Sequence, residues 1–118
     1  SNVATLIFDE VDAGVGGATA AAVGERLSSL SNSSGPQILV VTHSPQVAAV
    51  GHCHWRVSKE SINNKPLTRV ILLNQKDRTE EIARMLSGAK ITKEARAAAT
   101  RLLHDSERKI NSPSTNPN

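Results

Sequence analysis

Apolar positions along the chain follow two rhythms. From Val3 to Phe8 they run almost without a break, as Val-Ala-Thr-Leu-Ile-Phe, and stop at two acids; this is the pattern of a strand buried on both faces of a parallel sheet. Gln37 to Val41 repeats it as Gln-Ile-Leu-Val-Val. Between them the glycine-rich turn Gly14-Val15-Gly16-Gly17 leads into Ala18 to Leu30, where Val23, Leu27 and Leu30 recur at helical spacing, and Ser31 to Pro36 is a polar loop. Strand, helix and strand of these lengths predict a βαβ unit with parallel strands joined right-handedly. Thr42-His43-Ser44-Pro45 closes the second strand, with Ser44 suited to an N-cap and Pro45 to the first position of a short helix reaching about Val50.

Further on, Trp55 to Lys59 and Thr68 to Asn74 are β-like runs, expected to pair as an antiparallel edge hairpin across a loop from Glu60 to Leu67. Asp77 to Ser87 predicts a helix: Asp77 and Glu80 stand three apart like a capping box, Ile82, Met85 and Leu86 share a face, and Gly88 stops it. Thr92 to about His104, with Ala95, Ala99, Leu102 and Leu103 on one side, predicts a last helix. Residues 111–118 are polar and carry Pro113 and Pro117, so a disordered tail is expected after a structured part over residues 1–110. No internal repeat and no sustained heptad pattern appear in this sequence. The expected fold class is α/β, with parallel strands flanked by helices, and 118 residues suit one domain or a piece of one.

Composition changes this picture little. The formal net charge is +3, and its 14 Lys and Arg are spread from Arg26 to Lys109 without a dense run, which on its own describes a solvated surface. Phe8 and Trp55 are the only aromatics, too few for a stacking platform, so direct base reading is not expected. Cys53 is the sole cysteine; no internal disulfide can form and a reducing, cytosolic setting fits. No apolar run approaches the roughly 20 residues that span a bilayer, the N-terminus lacks a secretory pattern, and Ser1-Asn2 is compatible with an expression scar.

The candidate chemistry lies at the strand ends. Leu6-Ile7-Phe8-Asp9-Glu10 carries Asp9 to a sheet edge, where a carboxylate can hold magnesium through water. Glu10, leaving the strand, can orient or deprotonate a water, a role worth roughly 100 to 10,000-fold in rate. An acid pair that simply ends a strand in solvent is the bland alternative for these two residues, and a turn-forming Asp before Gly14 is the bland one for Asp12. His43 ends the second strand, so Asp9, Glu10 and His43 are expected at one carboxyl rim, where open α/β sheets bind ligands. His52, Cys53 and His54 are potential zinc ligands, but three adjacent side chains cannot close a tetrahedron; a loop entering the strand at Trp55 is the expected role.

Phe8-Asp9-Glu10-Val11-Asp12-Ala13-Gly14 resembles the Walker B segment and following loop of the SMC/RecN branch of ABC-type ATPases, and Val41-Thr42-His43-Ser44-Pro45-Gln46-Val47-Ala48 resembles its switch-histidine segment. The resemblance continues through Gly51-His52, Val57-Ser58-Lys59-Glu60 and Glu81-Ile82-Ala83-Arg84-Met85-Leu86-Ser87-Gly88, covering about Thr5 to Leu103. It implies the C-terminal part of a P-loop NTPase head, with ATP and Mg2+ as cofactors of the full-length protein. Asp9 would assist the metal, Glu10 would be the catalytic base, and His43 would contact the γ-phosphate or the attacking water. Asp12, Gly14, Gly16 and Gly17 would belong to the loop that faces a second head across a shared ATP, with Gly16 where many relatives have an Asp.

The implied setting is repair of DNA double-strand breaks and recombination in the bacterial cytoplasm, at the nucleoid. The implied partners are the N-terminal part of the same head, a second head and DNA, with no membrane. This sequence contains no Gly-x-x-x-x-Gly-Lys-Ser/Thr segment and no Ser-Gly-Gly signature helix, so the resemblance places both upstream of Ser1 and leaves the segment alone without ATPase activity. Two rivals remain. One is a metal-dependent nuclease using Asp9, Glu10, Asp12 and His43, although adjacent strand residues tend to opposite faces and alternate ones would be needed for one ion. The other is a non-catalytic interaction module.

Overall fold

In the computed structural model, residues 4–10, 13–31 and 34–111 are described, the last three without their side chains. They form β1 (Thr5–Asp9), α1 (Gly17–Leu30), β2 (Gln37–Val41), α2 (Pro45–Ala48), β3 (Trp55–Ile62), β4 (Lys65–Leu72), α3 (Gln75–Ser87) and α4 (Lys93–Asn111). β1 and β2 pair in parallel from Thr5 with Gln37 to Asp9 with Val41 and form one two-stranded sheet; β3 and β4 form a second, antiparallel one. The domain is mixed α/β, as the alternating rhythms require.

Expectation and structure part over how deeply the parallel strands are buried. Their exposure alternates, so that Leu6, Phe8, Ile38 and Val40 are half-buried while Ile7, Leu39 and Val41 are 69%, 44% and 52% exposed. An unbroken apolar run predicts cover on both faces; among the described residues one face of this pair stays open.

The hairpin is longer than the sequence pattern indicates. Residues 60–62 and 65–67, expected in a loop, are strand, and the turn shrinks to Asn63 and Asn64 at φ 52° and 63°. Two successive left-handed residues make the type I′ turn whose twist matches paired strands, and asparagine tolerates that region better than most side chains. α3 begins two residues earlier than Asp77, because Asn74 is its cap: the Asn74 side-chain oxygen accepts from the Asp77 N–H at 2.8 Å. Thr92 caps α4 the same way, accepting from Ala95 N–H at 3.0 Å. α4 runs on past His104 to Asn111, so Asn111 is helical rather than tail; residues 112–118 lie outside those described.

Small residues set the core. Ala49, Ile82, Ala83, Ala95, Ala99 and Leu103 pack α3 and α4 against the end of α2, with Met85 and Leu102 beside them, while Leu86 and, on α1, Leu30 stay largely exposed. On the other side of α2, Gly24 of α1 lets the helices close up: a Cβ there would meet the Val47 Cα at 3.3 Å and the Val50 Cγ2 at 3.0 Å. The two halves of the chain are joined through Arg78. Its Nη2, with two hydrogens to share, lies 3.1, 3.3 and 2.5 Å from the carbonyl oxygens of Ala48, Ala49 and Gly51 at and just beyond the end of α2.

Nearby, burial and then the Arg78 charge hold the His54 imidazole below the usual histidine range, with Glu81 acting the other way. Hydrogen bonds from Arg84 hold the buried Glu81 carboxyl below the usual carboxylate range, with burial opposing. Arg78→Met keeps the length of the side chain but none of its donors, and should destabilise the fold by about 2–4 kcal/mol in urea unfolding. Stability should also fall on acidification. A His whose folded pKa is lowered lets the unfolded chain take up its proton first, so that contribution is lost as pH drops below about 6.5 through the folded value, and the Glu81 contribution is lost below about 4.5. Thermal unfolding at pH 7.5, 5.5 and 4 checks this: His54→Asn should flatten the step from 7.5 to 5.5 and leave the lower one.

Candidate functional site

Register brings the candidate residues together. Because Asp9 pairs with Val41, the carboxyl ends of β1 and β2 lie side by side, and the Glu10 N–H adds one more bond, to the Val41 carbonyl at 2.8 Å. At Glu10 the backbone turns into the left-handed region, at φ 52°, which is strained by roughly 1 kcal/mol or more for a side chain of this kind. The Glu10 carbonyl then accepts from Ala13 N–H at 3.0 Å, and Gly14, at φ 79°, continues the turn where glycine alone is unstrained.

On the neighbouring strand end, Thr42 Oγ1 accepts from the Ser44 N–H at 2.9 Å, and the Ser44 hydroxyl caps α2 by accepting from Val47 N–H at 3.4 Å. These bonds hold the short segment that carries His43. The outcome is a direct contact: His43 Nε2 lies 2.9 Å from Glu10 Oε1, with the histidine side chain 90% exposed and the glutamate 47% exposed. An imidazole on one carboxylate oxygen fixes the carboxylate while leaving its other oxygen to act on a water.

Beside this pair opens a cleft of about 440 Å³ lined by Glu10, Gly14, Gly17, His43, Ser44 and Gln46 among others. Gln46 has no obvious marker in the sequence pattern. It sits in the first turn of α2, accepts from the Ser44 hydroxyl at 3.0 Å, and its Nε2 is 3.4 Å from where a Cβ on Gly17 would stand. Gly16 is the N-cap of α1 and contributes no side-chain cap.

Asp9 ends β1 with an exposed carboxylate, and no ion pair or hydrogen bond of that group occurs among the described residues. A free carboxylate at a sheet edge suits Mg2+, which keeps most of its waters and takes one or two protein oxygens. Asp12 lies outside the described residues. Among the described residues no three His, Cys, Asp or Glu side chains converge in a way that could hold a metal among themselves. His52 and Cys53 are exposed, and His54 is drawn toward α3. Among the described residues no helix is long and apolar enough to cross a membrane.

The chain is thus a mixed α/β protein with a glutamate–histidine contact and a glycine-lined cleft at the carboxyl rim of a parallel strand pair, the edge at which open α/β sheets in general carry their ligand sites. Sequence comparison narrows it. The chain is 52% identical over 103 residues to the DNA repair protein RecN of Xylella fastidiosa, covering 87% of this chain and 18% of that protein. It is 46% identical over 103 residues to RecN of Haemophilus influenzae, with the same coverage, and 51% identical over 84 residues to RecN of Deinococcus radiodurans, covering 71% of the chain and 14% of the relative. The chain is RecN-like over most of its length. It spans 14% to 18% of the length of these curated relatives. No family model matches it.

Proposed function

We propose that this chain is the C-terminal part of an ABC-type ATPase head in a RecN-like protein that acts in DNA double-strand break repair and recombination. The observation that carries the reading is the Glu10–His43 contact at the joined ends of two parallel strands, in a chain so similar to RecN proteins. ATP and Mg2+ are the cofactors of the complete head, supplying the phosphoryl group to be cleaved and the charge that neutralises it.

In this reading Asp9 stands ready to bind Mg2+ through water, since its carboxylate is exposed and uncommitted. Glu10, held on one oxygen by His43, orients the attacking water and accepts its proton. His43 steadies that carboxylate and, from the same rim, reaches the terminal phosphate. Asp12 and the glycines Gly14, Gly16 and Gly17 form the loop that meets a second head across a shared ATP. The N-terminal part of the same head supplies the phosphate-cradling loop and covers the open face at Ile7, Leu39 and Val41, which the described residues leave to solvent. DNA is the substrate platform of the intact protein, and its setting is the bacterial cytoplasm at the nucleoid.

The two adjacent acids have separable roles, and the intact protein tests them. Glu10→Gln should preserve ATP binding, lower turnover by roughly 100-fold or more, and accumulate head dimers closed on ATP. Asp9→Asn should weaken the magnesium-dependent part of nucleotide binding without such accumulation. Sedimentation of both variants with ATP and magnesium measures the difference; identical behaviour of the two, with neither dimerising more than wild type, removes the assignment.

A further inference from the structure

The 14 Lys and Arg form no dense run, yet the basic surplus falls in one contiguous stretch that the fold makes a hairpin. Of the 14 Lys and Arg and 11 Asp and Glu, the hairpin segment from Trp55 to Leu72 holds four and one, which leaves ten of each elsewhere. The whole net charge of +3 therefore sits on β3 and β4. Almost every residue of those two strands is exposed.

Register sorts the hairpin into two faces. Trp55, Val57, Val70 and Leu72 pair across one face toward the base and form an apolar patch. Arg56, Arg69 and Lys65 fall on the opposite face with Glu60, and Lys59 flanks them on the apolar side nearer the turn. Arg69 is partly committed, with its Nη2 3.6 Å from a Glu60 carboxylate oxygen. Lys59 and Lys65 have no acidic partner among the described residues, and the hairpin ends in the tight Asn63–Asn64 turn. At about 3.3 Å per residue, the six register steps from Arg56 to the Ile62–Lys65 pair spread these cations along roughly 20 Å of a narrow ribbon.

We infer that this hairpin is a contact surface for the phosphate backbone of duplex DNA, bound without base reading through Lys59, Lys65 and Arg69. This rests on the proposal above that DNA is a partner of the intact protein, and adds where it is held. Cations spaced along a ribbon match a repeating anion rather than a single bound one, and a two-stranded ribbon is narrow enough to lie against or in a duplex groove about 12 Å wide. Trp55, at the base of the hairpin and on its apolar face, is the only aromatic of these two strands, and a single ring makes no stacking platform, so the contact is electrostatic and sequence-independent.

The test measures binding of a fixed-length duplex to the intact protein over a range of salt concentrations. Lys59→Gln/Lys65→Gln/Arg69→Gln should weaken binding about 10-fold or more at low salt and reduce the slope of log affinity against log salt by about 2–3, with the same loss on duplexes of unrelated sequence. Lys59→Gln/Lys65→Gln leaves the Glu60–Arg69 pair intact, guards against a folding defect, and should reduce the slope by about 2. Lys76→Gln/Lys90→Gln/Lys93→Gln removes the same charge from the region of α3 and α4 and should change the slope far less. An unchanged slope in both hairpin variants, while wild type binds, overturns the hairpin assignment and leaves the DNA partner standing. Equal losses from the control triple variant, or equal dependence on the hairpin for binding polyglutamate, overturns it as well. A wild-type protein that does not bind duplex at all overturns the DNA partner itself.

Discussion

Two parallel strands make two apolar faces, and the described residues cover one. The β1–β2 pairing from Thr5 to Asp9 is the constraint on which the rest depends. It sets both carboxyl ends at one rim, makes α1 cross over, and leaves Ile7, Leu39 and Val41 in solvent. An open apolar face on the strands that carry the candidate chemistry is what a segment of a larger sheet looks like when its neighbour is supplied by other residues.

The contact between Glu10 and His43 follows from that register plus two local devices. One is the left-handed turn at Glu10, which takes the side chain out of the strand pleat; the other is the Thr42–Ser44 hydrogen bonding that starts α2. α2 has only four residues and cannot hold itself, so its far end is held by the Arg78 guanidinium and its flank by the close approach of Gly24. Interactions within the alanine-rich packing of α3 and α4 thus reach the rim through one short helix. The site is positioned by elements that lie on both sides of it in the chain.

Much of this was legible beforehand, and the failures have physical causes. The βαβ unit was readable because two apolar runs of strand length flank a glycine turn and a helical repeat, and Ser44-Pro45 announced α2 by cap chemistry alone. Exposure of the β1–β2 face was not readable, since an apolar run reports the cover a strand needs and not whether this chain provides it. The sequence pattern marks only the base of the hairpin because its distal part, Glu60 to Leu67, is exposed on both faces and so is free to be polar. Asn63-Asn64 was the overlooked signal there, a pair able to take two positive φ values. For α3, Asp77 and Glu80 imitated a capping box while Asn74, three residues earlier, does the capping. That Glu10 and His43 share a rim followed from their strand ends, but their 2.9 Å contact depended on a backbone angle that no residue pattern encodes.

Amide hydrogen exchange tests the central proposal, that the β1–β2 pair is completed by the N-terminal part of the same head. Measured on the chain alone, amides of Leu6 to Phe8 and Ile38 to Val40 should exchange much faster than those of Ile82, Ala83 and Ala99 in the α3–α4 core, and joining the chain to the rest of the head should slow the strand amides selectively. Strand amides as protected as the helical core in the chain alone, and unchanged when the rest of the head is joined, would contradict it.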